Sequence, residues 1–470
     1  MKKIETNKGS SLTKLTAVYM VGNFSSKILS FLLVFVMTYT LSKKEIGEYD
    51  LIMTTIFFIV PFVSFQIDAS LLRWLLDSPG KEQSKAIFEN VFFLLFFNII
   101  VFSIIFFILN IIFTIEYGAY LYVLSVFQII LPTLQQGTRG IGNNKLYAAT
   151  GVIYSLLYVF TTILFLYVFK FGVEGVLLGN IIAVFIVLIL LLYKNKWFKF
   201  FKFKKPDLSV LKELINYSLP LLPNSISWWI VGSSTRYIIL LYLGVEQNGI
   251  FAISYKYPTI IMMLSNVFNL AWQEKAILSN GSGDISKESG TILDQYVKLL
   301  LGIIIILSCL SKFLMTHLVS PDFFESWKYM PILLYAVFMQ ALSAFYGVGY
   351  LRSRRTKGAF VSSMLGGIVT LIISFILVKP MGLYGVSLAI LLGYLVMLVI
   401  RIEQTKKFFP VTFPLKLIVI LSFVFFIISC INFYENNYLF ILSCITSIGI
   451  FIYLNVSYLK KLKLKLIKNR

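Results

Sequence analysis

Charged side chains are scarce in this chain, and their scarcity indicates its class. Of the 470 residues, 13% are charged, whereas a soluble domain averages about 25%. Hydrophobic residues make up 58% of the sequence and are spread along its whole length. We therefore expect an integral membrane protein rather than a soluble domain with a single membrane anchor.

Cysteine and histidine are also few. The three cysteines, Cys309, Cys430 and Cys444, lie in apolar runs, so their positions indicate neither a disulfide framework nor a metal site. The single histidine, His317, has no cluster of metal-binding residues beside it. The sequence contains no phosphate-binding loop, dinucleotide fingerprint, zinc motif or nucleophile elbow. We therefore predict no catalytic residue, no metal and no cofactor, and we do not expect an enzyme.

Long apolar runs recur along the chain, and a helix that crosses a bilayer needs about 20 mostly apolar residues. The runs that meet or approach this length are 15–41, 49–69, 87–113, 120–134, 147–169, 173–193, 217–243, 250–271, 292–314, 329–350, 359–378, 383–400, 415–433 and 438–458. The run 120–134 is the least regular, because it is short and interrupted by Pro132. Since only helices satisfy the backbone of such runs in lipid, we predict an all-α polytopic protein with about fourteen transmembrane helices.

The net charge of +21 does not indicate a nucleic-acid partner, because the basic residues lie between the apolar runs. If the N-terminus is inside, 33 of the 42 lysine and arginine residues fall in inner segments and 6 in outer loops. Positive residues concentrate on the cytoplasmic side of membrane proteins. The distribution therefore predicts a multi-pass membrane protein with both termini in the cytoplasm.

The segment 193–214 is strongly basic and joins two similar halves. Its aromatic residues alternate with lysines, which suits a segment that lies on an anionic bilayer surface, although an ordinary cytoplasmic loop fits the charge bias equally well. We predict an N-terminal lobe of six spans at 1–193, a basic cytoplasmic linker at 194–214 and a C-terminal lobe of six spans at 215–400. Residues 401–470 then hold two additional helices and a basic tail.

Internal matches support this division into two lobes. The segment around Gly47 aligns with that around Gly249, at a shift of 202 residues. The motif Gly172-x-x-Gly175 aligns with Gly382-x-x-Gly385, at a shift of 210 residues. Six spans is an even number, so both lobes share one orientation in the membrane. The matches predict a parallel repeat, as in some secondary transporters.

Apart from Lys298, Lys312 and Lys416, which are counted with the adjoining segments, three basic residues fall inside spans. A charge there costs at least about 2.5 kcal/mol and usually faces a cavity. The three residues are Lys27, Arg236 and Lys256. Polar residues on the same helix faces extend the predicted cavity lining: Asn23 and Ser30 beside Lys27, and Asn266, Asn269 and Gln273 beside Lys256. For Arg236 and Lys256, snorkelling to the outer interface is the alternative. A cavity with fixed cations and few carboxylates attracts an anion and disfavours cationic drugs.

A second basic cluster is predicted at the inner leaflet. It comprises Arg139 and Lys145 after the fourth span and Arg352, Arg354 and Arg355 after the tenth. These positions are equivalent in the two repeats, and they suit a phosphate-bearing headgroup of an anionic membrane lipid. Charge bias alone is the alternative explanation.

Four motifs resemble the polysaccharide-transporter branch of the multidrug/oligosaccharidyl-lipid/polysaccharide exporter superfamily. They are KLTAVYMVGNFSSKILSFLLVFVMTYTLSKKEIGEYDL at 14–51, QIDASLLRWLLD at 66–77, RGIGNNKLYA at 139–148 and NVFNLAWQE at 266–274. The resemblance covers roughly the whole chain. It implies two lobes around a cationic cavity, whose charges fall here on Lys27, Arg236 and Lys256, and a lipid-tail groove at the last two helices.

The resemblance also implies a function. We expect a flippase of the bacterial cytoplasmic membrane. It would move undecaprenyl-pyrophosphate-linked oligosaccharide from the inner to the outer leaflet by alternating access, for capsule, O-antigen or cell-wall polysaccharide. A polysaccharide polymerase complex is a candidate partner. Two alternatives stay open: a membrane polysaccharide polymerase or ligase, which would need a larger outer domain, and an ion-coupled small-molecule antiporter of the same superfamily.

Overall fold

Helices account for the regular structure of the chain. The computed structural model describes residues 28–468, except 30, 78–80, 198–205, 279–284, 354 and 435. Within those residues there are helices and no strands, which confirms the predicted all-α class. Contacts between residues divide the chain into two compact units, unit 1 (Met1–Trp229) and unit 2 (Ile230–Arg470). The lobe boundaries drawn from the span count stay predictions.

The helices follow one another with short connections. Unit 1 contains α1 (31–38), α2 (Lys43–Ser64), α3 (Ile67–Asp77), α4 (Lys81–Phe113), α5 (Gly118–Gly140), α6 (Asn144–Ile163), α7 (Gly172–Lys194), α8 (Leu208–Ser218) and most of α9 (Leu222–Gly232). Unit 2 contains α10 (Thr235–Leu243), α11 (Val245–Lys256), α12 (Thr259–Leu278), α13 (Ile285–Leu318), α14 (Met330–Arg352), α15 (Thr356–Thr405), α16 (Leu415–Ile431) and α17 (Asn437–Lys468). A π-helical turn, Leu164–Val168, extends α6.

From the second onward, each predicted span coincides with helical segments; of the first, 15–41, the described residues are helical at 28–29 and 31–38. Nine helices there are long and apolar enough to cross a membrane. One of them, within α15, has 49 residues and is broken at Gly382, so it accounts for two predicted spans. The 17-residue α16 is a shorter apolar helix. The chain is therefore a multi-pass membrane protein.

Two predicted spans are interrupted rather than continuous. The run 217–243 is divided between the end of α8, α9 and α10. The run 250–271 is divided between α11 and α12, at Tyr257 and Pro258. Pro258 lacks the N–H group that would continue the hydrogen bonds of α11, so the first helix ends there. The distribution of apolar residues did not reveal these interruptions, because both runs are apolar on either side of them.

The fourth predicted span is confirmed, and it is longer than the apolar run 120–134. Helix α5 continues through Pro132 for 23 residues, from Gly118 to Gly140. Proline is tolerated in transmembrane helices because neighbouring helices and local adjustments satisfy the backbone groups that it frees. The span is consequently as long as the others.

Helix α2 ends at Ser64, five residues earlier than the apolar run predicted. The next two residues, Phe65 and Gln66, have φ angles of 49° and 53°. These angles lie in the left-handed region, which residues other than glycine rarely adopt. Contacts within unit 1 hold this turn: the Gln66 side-chain amide donates a hydrogen bond to the Ser225 hydroxyl, and the Gln66 backbone N–H donates to Ser64 Oγ over 3.1 Å. The turn separates α3 from α2.

Gly172 and Gly382, which align in the predicted repeat, have similar positive φ angles. Gly172 has a φ of +60° at the start of α7, and Gly382 has a φ of +55° at the break in α15. Three residues later, each unit has a close approach to the preceding helix. A Cβ atom on Gly175 would lie 3.0 Å from Phe165 Cβ, and one on Gly385 would lie 2.4 Å from the carbonyl oxygen of Leu377. The two units therefore repeat one local structure.

Replacing Gly385 with alanine is expected to destabilise unit 2 by about 1–3 kcal/mol, because the new methyl group overlaps a backbone atom that cannot move aside. Gly449→Ala is the matched control: a Cβ atom there meets nothing within 4 Å, and alanine favours helix. Thermal unfolding of the purified full-length protein measures both variants. Equal melting temperatures for the two would contradict the close packing at Gly385.

The basic segment between α7 and α8 is partly packed into unit 1. Trp197 is 1% exposed, and its ring centroid lies 5.5 Å from that of Phe88. This residue therefore does not lie on the bilayer surface, as the alternation of aromatic residues and lysines predicted. The neighbouring aromatics at 198, 200, 201 and 203 lie outside the described residues.

Helix α8 also belongs to the packed part of unit 1. The Ser209 hydroxyl and the backbone N–H groups of Ser209 and Val210 donate to the Asp207 carboxylate at its start, and they lower the pKa of Asp207. Leu214 is fully buried, and its carbonyl oxygen accepts a hydrogen bond from the Ser70 hydroxyl of α3 over 2.7 Å. The end of the basic segment is thus fixed against α3.

Candidate functional site

Arg236 lies in the first turn of α10, directly after the break that ends α9. Its side chain is 5% exposed, and Nη1 donates to the Gly232 carbonyl oxygen over 2.6 Å. The guanidinium carbon lies 4.5 Å from the ring centroid of Tyr255 and 5.0 Å from that of Phe251. Snorkelling to the surface is therefore the wrong interpretation. The aromatic rings of α11 hold this cation inside unit 2.

Lys256 is the last residue of α11, and its side chain is half-buried. Its carbonyl oxygen accepts a hydrogen bond from the Thr259 hydroxyl at the start of α12. Because the helix is interrupted at Tyr257 and Pro258, Lys256 and the polar residues of α12 do not lie on one continuous helix. On α12, Asn266 is exposed, Gln273 is half-buried and Asn269 is 8% exposed. Asn269 Oδ1 has no hydrogen-bond donor among the described residues.

The first-helix part of the predicted cavity lies outside the described residues. Lys27, Asn23 and Ser30 are its members. Their contribution to a substrate site stays a prediction from the sequence.

The predicted inner-leaflet cluster lies on two turns, one in each unit. Arg139 is exposed in the last turn of α5, and Lys145 is exposed in the first turn of α6. Arg352 is half-buried at the end of α14, and Arg355 is exposed just before α15. Arg354 lies outside the described residues. Both turns therefore present basic residues at equivalent places in the repeat.

Arg401 is a buried cation that follows the predicted span 383–400, and the sequence analysis did not single it out as a site residue. It lies near the end of α15 and is 3% exposed. Its guanidinium donates to Ser362 Oγ over 3.1 Å, to Ser363 Oγ over 2.9 Å and to the Ser343 carbonyl oxygen over 2.8 Å. Gly347 makes room for it, since a Cβ atom there would lie 2.8 Å from Nη1. The available signal was the adjacent serine pair, Ser362 and Ser363, in an otherwise apolar helix.

Unit 1 contains a network of neutral polar side chains. The hydroxyl groups of Tyr49 and Tyr158 are 2.7 Å apart, and the Tyr154 hydroxyl donates to Asn180 Oδ1 over 2.9 Å. The rings of Tyr154 and Tyr158 stack with centroids 5.9 Å apart. Tyrosine hydroxyls and an amide are suited to hydrogen-bond a polar group such as a sugar hydroxyl. The sequence analysis missed this network because its members lie in three separate spans.

Among the described residues, the charged side chains buried in unit 2 are cations. Within the ranges that the structure describes, no three His, Cys, Asp or Glu side chains are grouped as metal ligands would be. Unit 2 instead contains two arginines, Arg236 and Arg401, that are at most 5% exposed. Buried cations raise the local positive potential and attract negative charge.

Comparison with protein families gives one match. A sequence model of the family described as "Polysaccharide biosynthesis protein" matches residues 12–272, which is more than half of the chain. No curated protein sequence matches the chain.

Several solved structures have a similar fold. A structure of a multidrug resistance MATE family transporter of the MOP superfamily, in the inward-facing conformation, has a TM-score of 0.68 at 13% identity, covering 87% of this chain and 98% of that one. The lipid II flippase MurJ, in an inward closed conformation, has a TM-score of 0.63 at 16% identity, covering 95% and 99%. A MOP superfamily transporter from Pyrococcus furiosus has a TM-score of 0.54 at 12% identity, covering 84% and 94%. At these identities the likeness establishes the fold.

Proposed function

Because the chain belongs to the polysaccharide biosynthesis protein family and has the fold of the MOP superfamily transporters, we propose that it translocates a lipid-linked oligosaccharide. The expected substrate is an undecaprenyl-pyrophosphate-linked repeat unit, moved from the inner to the outer leaflet of the bacterial cytoplasmic membrane. Its product would supply capsule, O-antigen or cell-wall polysaccharide, and a polysaccharide polymerase complex is a candidate partner.

The observation that carries this proposal is the positive charge buried in the helices of unit 2. Arg236 and Arg401 are buried in unit 2, and the half-buried Lys256 lies at the end of α11. A pyrophosphate headgroup is an anion that forms charge-assisted hydrogen bonds with such cations. The lysine predicted in the first span, Lys27, would add a further positive charge.

Other groups are suited to the remaining parts of the substrate. The tyrosines and Asn180 of unit 1 offer neutral hydrogen bonds for sugar hydroxyls. The prenyl tail would stay in lipid, since about 0.8 kcal/mol is lost for each CH₂ group moved into water. A membrane potential that is negative inside favours outward movement of an anion by about 2.3 kcal/mol per charge per 100 mV. Alternating access of the headgroup site to the two sides of the membrane completes the proposed cycle.

A depletion experiment separates transport from polymerisation. Cells that lack the protein are expected to accumulate lipid-linked repeat units that an impermeant glycosidase, added outside, cannot cleave. A polymerase or ligase defect would instead leave single units accessible to that enzyme. Re-expression of the full chain should restore repeat units that the external glycosidase can cleave. If the depleted cells instead accumulate cleavable units, the flippase proposal is refuted.

Another measurement distinguishes the proposed flippase from a small-molecule antiporter of the same superfamily. Membrane vesicles that contain the protein are loaded with a cationic dye, and an ion gradient is imposed. We expect no dye efflux above that of vesicles without the protein, because buried arginines disfavour a cation. Gradient-dependent efflux would support the antiporter in place of the flippase.

A further inference from the structure

Unit 2 contains a pocket outside the predicted translocation site, where the turn between α14 and α15 meets the end of α15. Its volume is about 540 Å³, which falls within the range of small-ligand sites. Three cations contribute to its lining: Arg355, Lys357 and Lys407. The orientation predicted from the positive residues puts this turn on the cytoplasmic side of the membrane.

The three cations are available to a ligand. All are exposed, and none forms an ion pair within the described part of the chain. The pocket is also lined by an acidic residue, Glu403, whose carboxylate lies 3.9 Å from the ammonium group of Lys406. Among the described residues that line the pocket, the three cations therefore exceed the one carboxylate, Glu403.

Neighbouring side chains position one of the cations and supply an uncharged hydrogen-bond donor. The guanidinium carbon of Arg355 lies 4.9 Å from the ring centroid of Phe408, so the aromatic ring helps to position the cation. The Tyr350 hydroxyl donates to Gln404 Oε1 over 2.7 Å, which leaves the amide NH₂ group of Gln404 as a donor. Gly358 permits the close approach of the two helix ends, since a Cβ atom there would lie 2.4 Å from Tyr350 Cε1.

We propose that this pocket binds the phosphate group of an organic phosphate ester. Three cations and an amide donor match the three acceptor oxygens of a phosphate monoester. The volume exceeds that of a single phosphate ion, so the ligand carries an organic group as well. Two sources share this chemistry: the headgroup of an anionic phospholipid at the inner leaflet, and a soluble sugar or glycerol phosphate. The pocket is separate from the buried arginines, and the proposal does not rest on the proposed function.

Binding to the purified full-length protein in detergent tests this assignment. Native mass spectrometry compares phosphatidic acid with diacylglycerol of the same acyl chains, and calorimetry measures glycerol 3-phosphate in solution. We expect phosphatidic acid to bind more tightly than diacylglycerol if the source is lipid, and glycerol 3-phosphate to bind if the source is soluble. In either case, affinity should fall as salt is raised, because exposed charges are screened.

Charge-neutral variants identify the site. The triple variant Arg355→Gln, Lys357→Gln, Lys407→Gln is expected to weaken phosphate-dependent binding at least tenfold. The matched control removes three exposed cations elsewhere, Lys194→Gln, Lys212→Gln, Lys416→Gln, and should bind as the unaltered protein does. The single exposed charge reversal Lys407→Glu serves if the triple variant is unstable. Equal binding by pocket and control variants, or no preference for a phosphate over its phosphate-free counterpart, would overturn the proposal.

Discussion

Replacing Arg401 with alanine is expected to lower the stability of unit 2 by about 2–4 kcal/mol. The substitution removes donors from the Ser343 carbonyl oxygen and from two serine hydroxyls, and an unsatisfied buried group costs about 1–3 kcal/mol. It also leaves a cavity where a long side chain was packed. Removal of a buried charge returns part of its desolvation cost, so the net loss is smaller than the sum of these effects.

Two further variants separate these effects. Arg401→Met keeps much of the volume while removing both charge and hydrogen bonds, so its melting temperature should lie between those of Arg401→Ala and the unaltered protein. Lys406→Ala is the control, because that side chain is 72% exposed and its ion pair contributes little. A melting temperature for Arg401→Ala equal to that of Lys406→Ala would show that the buried hydrogen bonds add no net stability.

Replacing Lys27 with alanine is expected to slow transport of the lipid-linked oligosaccharide about tenfold to a hundredfold. A charge-assisted hydrogen bond contributes about 1.5–3 kcal/mol, and 1.4 kcal/mol corresponds to a factor of ten. The measurement is the initial rate at which reconstituted vesicles expose the labelled sugar to an impermeant glycosidase. Lys27→Arg keeps the charge and should retain more of the rate than alanine does.

The control for this prediction is an exposed lysine at the end of a span. Lys194→Ala removes an exposed charge from the last turn of α7, and its transport rate should stay within about twofold of that of the unaltered protein. Melting temperatures of all variants should agree, so that a loss of rate is not a loss of fold. An undiminished rate for Lys27→Ala would refute the role of this lysine in the cavity.

Most of the fold could be predicted from the sequence, because in lipid a chain of this kind can satisfy its backbone hydrogen bonds only as helices. Long apolar runs become helices for that reason, and the positions of Gly172 and Gly382 revealed a repeated local structure that both units share. What it did not reveal depends on contacts between distant residues. The turn at Phe65 and Gln66 has no glycine to mark it, and it is held by a partner more than 150 residues away.

The same limit applies to the site. A basic residue at the end of an apolar run satisfies the charge bias whether it faces water or the interior, so Arg401 and an exposed lysine such as Lys406 look alike in sequence. Packing distinguishes them, through the hydroxyls of Ser362 and Ser363 and the carbonyl oxygen of Ser343. Arg236 was found because it interrupts an apolar run, but the aromatic rings around it were not foreseeable from spacing.

The space that Gly347 leaves for Arg401 links these two positions in evolution. With a Cβ atom at 347 lying 2.8 Å from the guanidinium, a descendant that gains a side chain there must give up the arginine or move a helix. The two residues should therefore vary together among homologous proteins. A glycine at 347 paired with an arginine at 401 would mark the lineages that keep this buried cation, and a larger residue paired with a neutral one would mark those that have lost it.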